Sequence, residues 1–371
     1  MANSNLSKAK NAKNDEFYTQ YQDIEKEIMA YLDFNPDTFK DKTVLLPCDD
    51  PEWSNFTKFF AQNFESFGLK KLISTSFAPD SKLYKSNYAP TLFETESPQF
   101  DKTKTIVNGK IFTLDHDTSG DGKIDVNDLE WTYLKGDGDF KSEEIKKLRD
   151  EADIIITNPP FSLFRDFVAW IVEANKKFVI VGSKNAITYK EIFPLIKSNR
   201  MWVGTMSFSK DMLFISPEEV DQSTKPISAT RVVDGIVYLR SPSVWFSNID
   251  HGRRHLPLKL MTKNDNLRYN KKLKIKEYQK FDNYDAINIP FTDAIPTDHN
   301  GIMGVPISFL DKYSPEQFEI IWISAGWGLE EAKSILEIKY DSTILSDGGR
   351  TAAVMSGKRC FPRIFIKHKK V

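Results

Sequence analysis

Apolar residues recur along this chain with two different periods, and the changes of period mark its elements. Tyr21, Ile24, Ile28 and Leu32 fall at helical spacing, which predicts a helix with one apolar face over residues 14–32. Residues 43–47 (TVLLP) are a short apolar run of the kind a buried strand requires. Ser54 stands where a helix N-cap belongs, and Phe56, Phe59, Phe60 and Phe64 follow at core-facing spacing. Residues 69–74 (LKKLIS) read as a second strand. Residues 152–157 (ADIIIT) read as a third, whose consecutive isoleucines suit burial on both faces. A helix over 164–174 and a buried strand over 178–182 (FVIVG) follow. Strands alternating with helices to about residue 200 predict an α/β fold with a parallel sheet.

The pattern then changes. Residues 204–260 are β-rich, with apolar runs at 235–239 and 244–247, and beyond 263 turn residues multiply. The expected organisation is a flexible leader over 1–13, an α/β domain over 14–262 with an acidic insertion at about 101–135, and a smaller domain over 263–371. The 40% of apolar residues can fill a sizeable core, and no apolar run approaches the roughly 18 residues of a membrane span. Residues 1–13 are polar and lack the apolar stretch of a secretory signal, so a cytoplasmic protein is expected. Two cysteines, Cys48 and Cys360, are too few for a disulfide framework. A net charge of −1 argues against a uniformly basic nucleic-acid binder, but not against one with its cations on one face. Basic clusters do occur, at Arg253–Arg254, 271–276 and 367–370.

The sharpest chemical signal is Asn158-Pro159-Pro160-Phe161, directly after the ADIIIT strand. In open α/β sheets ligands bind outside the carboxyl ends of the strands, which is where this tetrapeptide falls. Paired prolines stiffen the loop and keep it out of a helix ladder. The Asn158 side-chain oxygen and the Pro159 carbonyl can then accept both hydrogens of an amino group, and Phe161 offers a flat face to a planar ring. A rigid turn with a core phenylalanine is the competing reading.

This tetrapeptide resembles the Asn-Pro-Pro-(Tyr/Phe) signature of methyltransferases that act on the amino group of adenine. Three further segments match that group in order. Asn14-Asp15-Glu16-Phe17-Tyr18-Thr19 resembles the segment that packs on the methionine part of the cofactor. Leu45-Leu46-Pro47-Cys48-Asp49-Asp50-Pro51 occupies the place of the first cofactor loop, although it lacks the usual glycines. Gly138-Asp139-Phe140 resembles a motif whose aspartate contacts the cofactor's adenine amine. No carboxylate ends the second strand, where relatives bind the ribose. With the late Met303-Gly304-Val305-Pro306-Ile307-Ser308-Phe309-Leu310 stretch, these segments are similar to the EcoRI-type adenine-specific DNA methyltransferases.

The resemblance implies a Rossmann-like sheet that binds S-adenosylmethionine, followed by a C-terminal DNA-recognition domain. It implies methyl transfer to adenine N6 in a short duplex site, with the base turned out of the helix. Asn158, Pro159 and Phe161 are the implied catalytic residues. Asn14, Phe17, Tyr18, Thr19, Pro47, Asp49, Asp139, Phe140 and Asn158 are the implied cofactor contacts. Arg253, Arg254, Lys271 and Lys272 are candidate phosphate contacts, and a monomer acting on double-stranded DNA is expected.

The insertion carries a rival signal. Asp117, Ser119, Asp121, Asp125 and Asp128 fall at positions 1, 3, 5, 9 and 12 of a calcium loop, with Gly122 at the sharp turn. Structural calcium and an ordinary acidic turn both fit. Two other functions remain open on sequence: a protein glutamine N-methyltransferase, and a calcium-dependent binding module with an inactive methyltransferase core.

Overall fold

The computed structural model describes residues 18–48, 54–78, 92–215, 230–335 and 351–369. Asn14, Phe17 and Asp49 lie outside the described residues, as does the side chain of Tyr18. The chain divides into two compact units, residues 1–183 with 210–250, and residues 184–209 with 251–371.

In the first unit, strand β1 (Tyr18–Thr19) leads into helix α1 (Tyr21–Phe34), which buries Ile24, Glu27, Ile28 and Tyr31. Strand β2 (Thr43–Leu46) is buried throughout. Helix α2 (Asn55–Gln62) starts at Ser54, whose hydroxyl accepts from the Phe56 N–H, the expected cap. Strand β3 (Lys71–Thr75) follows, then β4 (Lys110–Leu114) and β5 (Glu130–Tyr133). Helix α3 (Glu143–Glu151) leads to strand β6 (Ile154–Thr157), buried at every position as the isoleucine run predicts. Each fully buried isoleucine there contributes about 1.5–3 kcal/mol. Helix α4 (Phe164–Glu173) and strand β7 (Lys177–Ser183) come next. The β-rich stretch supplies β8 (Met212–Ile215), β9 (Thr230–Val233), β10 (Ile236–Ser241) and β11 (Ser243–Ser247).

The main sheet of this unit has the order β5-β4-β3-β2-β6-β7-β11. Its centre is parallel: β2 pairs with β3 on one side and with β6 on the other, and β6 pairs with β7. Its flanks, β4, β5 and β11, are antiparallel. The insertion therefore widens the main sheet as a hairpin. A second sheet, β1-β8-β10-β9, joins the N-terminal strand to the β-rich stretch, with Thr19 opposite Phe214.

The second unit is built on β12 (Ala286–Asn288), β13 (Ile302–Pro306), β14 (Phe318–Ile323) and β17 (Arg363–His368), in the order β12-β13-β17-β14. A small hairpin, β15 (Val354–Met355) and β16 (Lys358–Arg359), precedes β17. Phe281, Tyr284, Trp322 and Phe365 form one core cluster. Residues 184–209, expected in the α/β domain, belong to this unit. Helix α5 (Phe193–Lys197) buries Phe193 beside Trp322 and Trp327, and the Trp327 indole N–H donates to the Thr188 carbonyl at 2.7 Å. The chain passes between the units at 183/184, 209/210 and 250/251. Among the described residues, no helix is long and apolar enough to cross a membrane.

Candidate active site

The chain turns from β2 to β3 on one side of the sheet and reaches β6 on the other. That reversal makes the β2–β6 pair a topological switch point, where an α/β sheet opens a crevice beyond its strand ends. Val44 and Leu45 of β2 lie opposite Ile154 and Ile155 of β6. The loop beginning at Pro47 and the Asn158-Pro159-Pro160-Phe161 turn therefore leave neighbouring strand ends in the same direction. The structure thus brings together two segments separated by more than a hundred residues of chain.

The Asn-Pro-Pro-Phe turn is held from below. Asn158 and Phe161 are half-buried and Pro159 is buried. A single 3₁₀ turn, Phe161–Leu163, carries the chain into α4, with the Leu163 N–H on the Pro160 carbonyl at 2.9 Å. Phe164, the first residue of α4, rests on the backbone of β7 at Gly182 and against Phe246 at 5.2 Å. A Cβ at Gly182 would occupy the volume of the Phe164 ring. Phe161 meets Phe214 of β8 edge to face at 6.4 Å. Because Thr19 pairs with Phe214, the N-terminal segment reaches the same corner of the unit. Asn55 at the start of α2 fixes it there, donating to the Thr19 carbonyl at 2.8 Å.

The Pro47 loop is tied to β3, where the Thr75 hydroxyl donates to the Pro47 carbonyl at 3.2 Å. The Gly136–Phe140 segment lies over the end of the same strand. Gly138 has φ +87°, a conformation that favours glycine, and a Cβ on it would collide with the Ser76 carbonyl. The Ala78 N–H donates to the Asp137 carbonyl at 2.7 Å. Asp139 is half-buried, and its carboxylate accepts from the Lys141 N–H at 2.9 Å. Lys141 in turn pairs with Asp166 of α4 at 2.6 Å, which holds its ammonium above its usual range. Phe140 is 5% exposed and packs between Phe167 and Trp170, so its ring anchors the segment to α4. Strand ends β3, β2 and β6 thus present Gly136–Phe140, Pro47 and the Asn-Pro-Pro-Phe turn side by side.

Two residues of this corner carry no signal in the sequence. Phe214 belongs to no motif, only to an apolar run, MLFI, and becomes visible through strand pairing. Asp137 stands just outside the Gly-Asp-Phe match, yet its backbone carbonyl ties the segment to Ala78 beyond β3, while its carboxylate accepts from the Asp139 N–H at 3.1 Å.

The calcium-loop pattern folds differently from a cation cage. Asp117 accepts from the N–H groups of Gly120 at 2.6 Å and Gly122 at 2.8 Å. Asp128 accepts from those of Thr118, Ser119 and Asp125 at 2.8–2.9 Å, and Asp125 and Asp128 form a capping box. These N–H donors, Asp125 first, push the Asp128 carboxyl down to about 2. The backbone of the loop satisfies both carboxylates, and no metal-holding group of acidic, His or Cys side chains occurs among the described residues. Asp117, Ser119, Asp121, Asp125 and Asp128 form an acidic hairpin turn between β4 and β5, and structural calcium gains no support.

In the second unit the expected phosphate contacts separate. Arg254 is 5% exposed, stacks on Trp202 at 3.6 Å and donates to Asn199. A guanidinium enclosed in this way is an interior group. Arg253 is half-buried and donates to the Thr205 carbonyl. Lys271 and Lys272 are exposed, with Lys272 3.5 Å from Asp293.

A parallel-centred α/β sheet with an Asn-Pro-Pro-Phe turn at its switch point defines a methyltransferase of the class that works on exocyclic amines. The family described as adenine-specific methyltransferase EcoRI matches residues 5–369, and the chain belongs to that family. It is 39% identical over 333 residues to the Type II methyltransferase M.EcoRI of Escherichia coli, covering 87% of this chain and 90% of that one. It is 34% identical to the Type II methyltransferase M.MpnI of Mycoplasma pneumoniae, covering 98% of both chains. It is also 34% identical to the Type II methyltransferase M.MgeORF184P of Mycoplasma genitalium, covering 99% of both. No solved structure matches. Neither a glutamine methyltransferase nor a calcium-dependent module finds support in these relatives.

Proposed function

We propose that the chain transfers a methyl group from S-adenosylmethionine to N6 of adenine in a short duplex site, turning the target base out of the helix to do so. The observation that carries this reading is the juxtaposition of the Pro47 loop and the Asn-Pro-Pro-Phe turn at the β2–β6 switch point. When bound, S-adenosylmethionine supplies an electrophilic methyl group. Thr19, Pro47 and Asp139 lie in the segments that would hold it, and their carboxylate and backbone carbonyl acceptors suit its amines and hydroxyls. Phe140 serves by fixing Asp139.

The adenine N6 lone pair is delocalised into the ring, which makes it a poor nucleophile. The Asn158 side-chain oxygen and the Pro159 carbonyl accept its two hydrogens, return electron density to nitrogen and orient the lone pair. Phe161 stacks on the ring and fixes its plane. Positioning and electrostatics supply the rate, with no covalent enzyme intermediate. The second unit reads the duplex, with Lys271, Lys272 and Arg253 on phosphates. A Type II restriction–modification role is the biological setting this implies.

The test is mass spectrometry of nucleosides from unmethylated duplex DNA incubated with the protein and S-adenosylmethionine. N6-methyladenine confined to one short sequence is expected. Methylation of protein, or of cytosine, would sink the proposal.

A further inference from the structure

Phe361 is 86% exposed, the most exposed large apolar side chain among the described residues. Isolated surface phenylalanines are common and need no explanation. What sets this one apart is the rigidity and charge of its mounting. It follows the β15–β16 hairpin and precedes Pro362, which restricts the backbone on its C-terminal side. The Cys360 N–H donates to the Ala353 carbonyl at 2.8 Å, and the Gly357 N–H donates to the Asp282 carboxylate at 2.8 Å. Arg363 donates to the carbonyl of Phe361 itself at 3.3 Å and to the Asn288 side chain at 3.2 Å. Cys360 packs against the core cluster of the unit. The backbone is therefore pinned on both sides of a ring that points into solvent.

Cations surround that ring in sequence. Lys358 and Arg359 are exposed and Arg363 is half-buried, while Asp282, the carboxylate beside them, is engaged by the Gly357 N–H. An apolar side chain on a rigid basic turn matches a polyanion whose interior is a stack of flat aromatic rings. Proteins that bend or open duplexes insert apolar wedges between base steps while their cations hold the flanking phosphates. A second copy of this chain would bring like charges against Lys358 and Arg359, whereas DNA is complementary to both the charge and the ring.

We propose that Phe361 is a wedge that enters the base stack of the duplex substrate, with Lys358 and Arg359 on the adjoining phosphates. This rests on duplex DNA being the substrate. It adds a base-stack contact made by the second unit, separate from the Asn158 turn.

The test uses the full-length enzyme and duplexes carrying its methylation site, mapped from modified genomic DNA, with 2-aminopurine placed in turn at each purine position of the site. The wild type should raise fluorescence at a step other than the target adenine. Phe361→Ala should abolish that signal and weaken binding about 5- to 150-fold, the loss expected for one stacking platform. Its salt dependence should stay unchanged, because an apolar side chain releases no counterions. Phe361→Leu, which keeps an apolar wedge, should retain most of the signal. Lys358→Ala with Arg359→Ala should instead lower the salt slope by about one unit for each phosphate left unneutralised.

Wild-type unstacking and affinity in folded Phe361→Ala would overturn the proposal. So would a wild-type dimer that this variant dissolves in sedimentation, since a second copy would then be the occupant. A wild-type enzyme that methylates no duplex defeats the functional reading itself. A wild type that methylates normally, with Phe361→Ala indistinguishable from it, defeats only the wedge.

Discussion

Asn158 emerges from a strand buried on both faces, so its side chain starts from a fixed point and little entropy remains to be lost when it meets a base. Its partner in the proposed clamp, the Pro159 carbonyl, is fixed by the same strand end. Hydrogen bonds to the base that strengthen as nitrogen attacks affect turnover more than cofactor affinity. Asn158→Ala should lower kcat by two to three decades, about 2.7–4 kcal/mol, while calorimetry shows S-adenosylmethionine binding nearly as before. Unaltered turnover would remove Asn158 from the clamp. The turn that carries Asn158 was legible in the sequence because its residues are neighbours in the chain. Phe214 was not, because its role depends on a pairing between β1 and β8, nearly two hundred residues apart. The burial of Arg254 was not legible for a related reason. A charge pattern shows that a cation exists, not whether an indole ring such as Trp202 will cover it.

Between elements, the catalytic turn is positioned by the seating of α4 on β7. Gly182 leaves the space that the ring of Phe164 fills, and Phe164 follows Phe161 by a single 3₁₀ turn. Gly182→Ala should force that ring to shift, costing about 1–3 kcal/mol of stability as overpacking does. It should also reduce kcat/KM through displacement of Phe161 and Asn158. A fall in Tm with no change in kcat/KM would show that the turn is held independently of α4. The hairpin between β4 and β5 poses a separate question. Three N–H donors depress the Asp128 carboxyl to about 2, below the roughly 3.9 of an unfolded aspartate. A depressed carboxyl contributes stability above its unfolded value, and that contribution is lost as pH falls through about 2. At neutral pH it is fully present. Hydrogen exchange in chelator should therefore find the Ser119 and Asp125 amides protected in the wild type and exposed in Asp128→Asn. Protection that appears only with added calcium would restore the cation reading. The buried runs, the Ser54 cap and the parallel centre of the sheet were all readable from local periodicity. The antiparallel flanks were not, because a half-exposed hairpin and a loop insertion carry similar polar patterns.

For the whole molecule, the division of the chain follows burial, not sequence order. Residues 184–209 look like a continuation of the βα alternation, but Phe193 and Trp202 find their partners in the C-terminal unit, at Trp322 and Arg254. Sequence periodicity detects that a face is apolar and says nothing of which distant element will cover it. The same distinction separates the basic residues of this unit into two groups with opposite expected behaviour. Arg254 stacks on Trp202 and donates to Asn199, so Arg254→Ala removes a desolvated cation–π interaction of about 2 kcal/mol or more. Its melting temperature should drop, and the salt dependence of DNA binding should stay as in the wild type. Lys271 and Lys272 are exposed, so Lys271→Ala with Lys272→Ala should leave melting almost unchanged. If both lysines meet phosphates, that variant should lower the slope of log affinity against log salt by about two units. Lys272 also lies near Asp293, which Lys312 already engages at 3.0 Å, so losing Lys272 leaves that carboxylate paired. Thermal melts and binding isotherms at several salt concentrations, run on both variants, read the two effects separately. A flattened slope in Arg254→Ala with normal melting would place that arginine on the DNA after all, and an unchanged slope in the lysine variant would move the phosphate surface elsewhere on the unit.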